Sequence, residues 1–414
     1  MSDTSIRQLK AGYAPRDRER AVPLVKKRFL DKIVNLLDRL HFWITLDATF
    51  AQVIRLVLIP SHGVFYATLI MATVNEFKHG SVISTVKSAF VSGPSSVAVF
   101  KLFVIVRHRK TLKDITNSMD SMMDGILSRR IHPDCERELK SRYRSCRRLY
   151  KVVVYFGCTV TTHATVTPLV ATLINALLSD DPLPFESWPM FLVSYCWMAI
   201  NTFCIGHVLY MFDATYFAMA DNLQIHFAAL KSYLENLDLT KNDEIDLTLC
   251  LKNHMELLRL CRMFRRICRK VIVTTRMLTM LLLCAGTFVL TSAGPEFTPN
   301  DRGNLLSTLI YIAAVFFNYC RCADNIAHQL DELNTDVYNA KWVDASASQK
   351  RSILNMMTIS RMEPKFCGIA SINLDTFVNV MRGVYSYYNF LTAVDITEPV
   401  AAPVEPAEEL ADTI

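Results

Sequence analysis

At 414 residues, with 51% hydrophobic residues, 20% charged and a mean hydropathy of +0.22, the chain is too apolar for a soluble two-domain protein and reads as a membrane protein. Its net charge of +6 sits in basic blocks between apolar runs, a distribution that sets membrane topology and excludes nucleic acid as the natural partner. The sequence has no glycine-rich phosphate loop, HExxH, Gly-x-Ser-x-Gly or paired carboxylates within an apolar run, so it offers no enzyme site and requires no cofactor.

Residues 1–47 are polar and basic, carrying Arg16, Arg18, Arg20, Lys26, Lys27 and Arg28 before an amphipathic stretch at 29–40. The segment lacks an apolar core of signal-peptide type, so an uncleaved cytoplasmic amino terminus is expected. Residues 48–213 hold four apolar runs, at 48–74, 81–106, 152–178 and 188–211, each long enough to cross a bilayer. Pro60 is expected to kink the first. Lys87 and Lys101 lie near the ends of the second, where their long stems are expected to snorkel to the interface. A basic block at 107–151 separates the second run from the third.

Residues 214–270 keep a helical pattern but turn charged, which predicts two helices projecting beyond the bilayer and turning at 237–244. The fifth and sixth spans are predicted within 271–322, a further cytoplasmic helical region at 323–366 and the last span at 367–394. The tail at 395–414 sets Asp395, Glu398, Glu405, Glu408, Glu409 and Asp412 among prolines and alanines, a composition that predicts disorder. The predicted fold class is all-α and polytopic, with about seven transmembrane helices.

Basic blocks precede the first span, follow the second and lie between the fourth and fifth, whereas the short loops after the first, third and fifth are acidic or nearly neutral. Positive-inside then places the amino terminus in the cytoplasm and the carboxyl terminus outside. A G-protein-coupled receptor has the opposite orientation, and the sequence also lacks its Asp-Arg-Tyr and Asn-Pro-x-x-Tyr motifs. The cysteines lie in apolar runs or basic segments and not in the short outer loops, so extracellular bridges are not expected. Cys320 and Cys322 lack the second ligand pair of a zinc site, and no metal site is predicted.

Intramembrane polar residues supply the candidate sites. His62, His163 and His207 fall in apolar runs, where an ionisable side chain marks function or bonds a neighbouring helix. The threonine-rich third span, with Thr162, His163 and Val166, together with Ser84, Thr85 and Ser88 on the second and Ser194, Tyr195 and Met198 on the fourth, suits a mostly apolar small-molecule cavity. The same residues suit interhelical hydrogen bonds, and both readings stand. On the last span, Leu374, Phe377, Val378, Met381, Tyr385 and Tyr388 form one apolar flank at helical period. Asn379, Gly383, Ser386, Asn389 or Phe390, and Ala393 form a smaller, more polar one that suits a water-filled lumen or a neighbouring helix.

The order Tyr338, Trp342, a lysine-containing helix around 348–357, Ser360 with Pro364, Leu374, Thr376-Phe377 and Tyr385-Ser386-Tyr387-Tyr388 resembles the carboxyl-terminal signature of insect odorant receptors. The resemblance implies one subunit of an odorant-gated, non-selective cation channel, in the plasma membrane of olfactory sensory neurons and embedded in its lipids. It implies a heterotetramer with the family's co-receptor, a volatile ligand held between the outer halves of the second to sixth helices, and no enzymatic step. Met280, Thr287 and Tyr311 join the ligand candidates on that ground. His254, Leu257 and Leu258 match the family's cytoplasmic anchor, and Phe390 falls on the pore constriction, with Ser386 and Ala393 one turn to either side. Phe390, Arg382 and Ala393 depart from the family pattern, because aliphatic, small and polar residues respectively are commoner there. Gustatory receptors share the architecture but end in Thr-Tyr and Gln-Phe where this chain has Thr376-Phe377 and Asn389-Phe390. A transporter is the remaining alternative.

Overall fold

A computed structural model describes residues 49–80, 82–127, 133–178, 188–235, 244–292, 299–340, 342–362 and 372–397. The expectations for the amino-terminal segment at 1–47 and for most of the acidic tail lie outside them. The described residues form eight helices and no strand. These are α1 (Thr49–His79), α2 (Val82–Leu127), α3 (Pro133–Leu178), α4 (Trp188–Glu235), α5 (Glu244–Ser292), α6 (Pro299–Asn339), α7 (Ala347–Met362) and α8 (Leu374–Thr397). The protein is an all-α, multi-pass membrane protein. Four stretches, Ser84–Ile105, Leu192–Glu235, Leu247–Thr291 and Asp301–Asn339, are long and apolar enough to cross a membrane by composition.

Helices α2 to α5 have 46 to 49 residues, so each runs roughly 70 Å at ~1.5 Å per residue, more than twice a ~30 Å hydrocarbon core. The surplus does not project as bare charged helices. Ile115 and Met119 of α2, Leu223 and Phe227 of α4, Leu257, Leu258 and Phe264 of α5, and Ile326, Leu333 and Val337 of α6 are buried in one continuous core. Polar contacts fix its register: Asn222 Nδ2 donates to Met119 Sδ at 3.4 Å, Asn325 to Gln224 Oε1 at 3.3 Å, and Lys231 pairs with Asp336 at 3.3 Å. His254 is fully buried there, beside the buried Leu257 and Leu258.

The basic block expected between the second and third spans is thus helical for most of its length, as the continuations of α2 and α3. Helix α1 runs continuously through Pro60. Helix α2 leaves helical geometry at His108, with φ −109° and ψ 16°, where its apolar run gives way to charge. Two helix starts are capped. Ser346 N donates to Gln349 Oε1 at 2.9 Å and Gln349 N to Ser346 Oγ at 3.3 Å, a reciprocal capping box for α7. Asn373 Oδ1 accepts from Thr376 N at 2.9 Å and caps α8. Helix α8 extends to Thr397, so the first residues assigned to the tail, from Asp395, are helical.

Lys101 corrects the sequence expectation. Its side chain is only 2% exposed and pairs with Asp213 of α4, which is as deeply buried. Snorkelling requires a path to the interface along the side chain's own helix face. The face that carries Lys101 points into the bundle, where the apolar run alone shows no counter-ion.

Close approach of α3 and α4 depends on Gly157. A Cβ there would stand 2.6 Å from Cβ and Cγ of Tyr210, atoms too near the backbone to swing away. Gly157→Val is expected to part the two helices at a cost of about 1–3 kcal/mol. Surface biotinylation should then recover several-fold less protein at the cell surface, whereas wild-type recovery would show the contact to be slack.

Candidate functional site

The contact between α3 and α4 seats an aromatic cluster. Tyr210 is buried, its hydroxyl accepts from Cys158 Sγ at 3.4 Å, and it lies 2.9 Å from His207 Nδ1 one turn earlier. Tyr311 of α6 packs against Tyr210 and Met211, and its ring lies 5.7 Å from that of Phe156. The Tyr311 hydroxyl is buried and has no hydrogen-bond partner among the described residues. A buried phenol without a partner is costly, and an apolar, aromatic environment with one available polar group is the usual chemistry of a small-molecule site.

Of the residues named as ligand candidates from sequence, only Tyr311 belongs to this cluster, joined there by His207. Ser88 shares a 2.8 Å hydrogen bond with Thr73 of α1, and Ser92 receives a second from Thr73 at 3.0 Å, so this edge of α2 faces α1. Ser84 and Thr85 are half-buried on the same helix. Tyr195 donates to the carbonyl of Thr165, tying α4 to α3. Thr162, His163, Val166, Ser194 and Met198 are exposed on the outer faces of α3 and α4. The Thr287 hydroxyl folds back on the Leu283 carbonyl at 2.7 Å. Met280 is partly exposed, and its Cε stands 3.6 Å from the position a Cβ on Gly383 would take, which brings α5 against α8.

The cluster residues that the sequence does not single out are Phe156, Cys158, Tyr210 and Met211. The available signal was the spacing of His207 and Tyr210, three apart on one helix face. His62 realises the other reading of an intramembrane histidine. It bonds Asn201 of α4, while Trp197 Nε1 donates to Ser61 Oγ at 2.9 Å and stacks edge-on against Phe65 at 5.3 Å. This polar knot joins α1 to α4.

Helix α8 is covered on one side. Thr376, Val380 and Val384 are buried, and Phe377 meets the rings of Phe316 and Phe317 of α6 at 6.1 and 5.3 Å. Asn379, Arg382, Ser386, Asn389, Phe390 and Ala393 are exposed, Phe390 to 61%. The apolar flank expected from periodicity is split: Leu374 and Phe377 pack inward, while Val378, Met381 and Tyr385 are exposed. The packed stripe is narrower than the apolar one, because among the described residues the main neighbours of α8 are α5 and α6.

The family model for the 7tm Odorant receptor matches residues 81–385. Among solved structures, the insect olfactory receptor OR5 from Machilis hrabei shares the fold with a TM-score of 0.69 at 15% identity, over 89% of this chain and 98% of that one. The same receptor in complex with eugenol matches with a TM-score of 0.69 at 14% identity and the same coverage. No curated protein matches in sequence. At such low identity the structural likeness establishes the fold, and the family rests on the model that spans most of the sequence. The chain belongs to the seven-transmembrane odorant receptor family, whose members are ligand-sensing receptors and not enzymes.

Proposed function

We propose that this chain is the odorant-sensing subunit of a heteromeric, odorant-gated, non-selective cation channel in the plasma membrane of olfactory sensory neurons, with an insect odorant co-receptor completing the tetramer. The observation that carries the reading is the Tyr311 cluster. Its hydroxyl, without a partner among the described residues, offers one directional contact, and Phe156, Tyr210 and Met211 offer apolar surface. About one and a half turns further along α6, Phe316 and Phe317 grip Phe377 of α8. One rigid helix therefore joins the sensing cluster to the pore helix. Family membership supports odorant sensing, and the eugenol complex of the Machilis receptor supports a small organic ligand.

The mechanism is a population shift. An odorant that fits the open arrangement better moves α6, and α8 follows through its aromatic contact. Moving a mostly closed ensemble to a mostly open one requires a preference worth about 5.5 kcal/mol summed over the sites. The basic residues at 107–151 and 214–270 support a cytoplasmic anchor end, a cytoplasmic amino terminus and an extracellular carboxyl terminus. The exposed face of α8 supports a pore wall completed by other subunits, with Phe390 as its constriction. Four copies of Phe390 and Arg382 make a poor path for cations, so the co-receptor contributes most of the ring. Gly383, against Met280, serves the contact with α5 more directly than the lumen.

Membrane current recorded across a broad panel of volatiles, from cells expressing the chain alone and with a co-receptor, tests the reading. Odorant-gated cation current is expected only in the co-expressing cells, and current from the chain alone would mark a homomeric channel instead. Tyr311→Phe is expected to weaken odorants that carry a hydrogen-bond acceptor about fivefold while sparing hydrocarbons. Equal losses for both classes, in dose–response curves, would make Tyr311 a packing residue. Phe390→Ala should raise ligand-independent current, and an unchanged resting conductance counts against the constriction.

A further inference from the structure

A second buried constellation lies beside the aromatic cluster and touches three helices. Asp213 of α4 pairs with Lys101 of α2, and Tyr319 of α6 donates its hydroxyl to the same Asp213 Oδ1 at 2.5 Å. All three side chains are buried. Lys101 Nζ stands 5.5 Å from the centre of the Phe212 ring and 5.9 Å from that of Tyr319. The Tyr319 ring packs against those of Tyr216 at 4.6 Å and Phe217 at 5.1 Å.

The two bonds to Asp213 differ in kind. Parting Lys101 from Asp213 would strand two charges in an apolar interior, so that pair persists through any conformational change. Tyr319 is neutral, and its release leaves the carboxylate still paired. It is the contact that a modest free energy can make or break. Its position matters equally. Asp213 lies three residues from Tyr210, Tyr319 lies about two turns along α6 from Tyr311, and Phe316 lies between Tyr311 and Tyr319 with its ring against Phe377 of α8. A displacement of α6 relative to α4 at the aromatic cluster is therefore felt at Tyr319 as well as at α8.

We propose that the Tyr319 to Asp213 hydrogen bond is a latch that holds α6 against α4 in the resting channel, and that odorant binding releases it while Lys101 keeps Asp213 paired. The proposal rests on the channel reading above. Tyr319 and Asp213 are positioning residues, since they set the balance between the two states without being assigned to the ligand cluster or the pore wall. Lys101 fixes the carboxylate to α2, so the latch always closes on the same point.

Tyr319→Phe deletes the hydroxyl and keeps the packed ring. With the co-receptor present, it is expected to raise resting current and to lower the odorant concentration for half-maximal current about tenfold, at wild-type surface level and with the rank order of odorants unchanged. Lys101→Met alone is expected to remove the protein from the surface, and Lys101→Met with Asp213→Leu to restore it. In that restored background Tyr319→Phe should produce no further shift. A half-maximal concentration within about twofold of wild type at normal surface level overturns the latch. So does loss of Tyr319→Phe from the surface, or the same shift in the background that lacks Asp213. Hydrogen–deuterium exchange on the purified chain reads the latch without a channel. Faster amide exchange over residues 312–323 is expected in Tyr319→Phe, and wild-type exchange overturns the proposal even where no odorant current is found. Faster exchange together with a silent wild-type receptor would overturn the channel reading and leave the latch standing.

Discussion

The burial of α4 between Tyr210 and Leu230 is the constraint on which the bundle depends. Phe212, Ala214, Phe217, Ala218, Met219, Ala220, Leu223, Ile225, Phe227 and Ala229 leave that stretch without an exposed apolar face. A helix that is apolar all round is stable only when surrounded, and α2, α3, α5 and α6 supply the surround. Alanines let the neighbouring backbones come close, and the aromatic residues fill what remains. The contacts with α6 along this axis run from the Tyr311 cluster, past Asp213, to Gln224 and Asn325. The two ends of the molecule are therefore joined by packed side chains and not only by chain connectivity.

Much of the architecture was legible in the sequence because hydropathy and charge alternate in long blocks. The apolar runs, their order, the helical region around α7 and the last helix all follow from that alternation and from the carboxyl-terminal signature. The packed nature of the helical extensions was not legible in the same way. Their charges, such as Lys113, Arg144 and Lys252, sit on exposed faces, while the buried positions at Leu112, Ile115, Met119 and Met122 recur only every three or four residues. Mean composition therefore reports solvent where the periodic face reports a core.

The candidate site was legible only in part, for a local reason. Serine and threonine in a helix can satisfy themselves on the carbonyl four residues back, as Thr161, Thr165 and Thr287 do, so their presence in an apolar run does not reveal which way they face. Thr162, His163 and Ser194 were reasonable by residue type and lie on outward faces. Tyr210 and Phe156 are ordinary apolar-run residues until α3 and α4 are brought together at Gly157. Lys101 and Asp213 are more than a hundred positions apart, and no spacing rule pairs them.

The break in α2 at His108 marks a boundary between two kinds of surface. On one side the helices share many of their apolar faces with the surroundings, as Val64, Phe103, Val193 and Leu281 do; on the other, nearly every apolar side chain of α4 and α5 is already taken. Tolerance to substitution follows from that difference. The loosely enclosed half can exchange side chains at small cost, whereas the enclosed half punishes each exchange with a void or a clash. A receptor divided in this way can accumulate substitutions in one half without disturbing the end that holds its helices together, and sequence divergence becomes compatible with one unchanging scaffold.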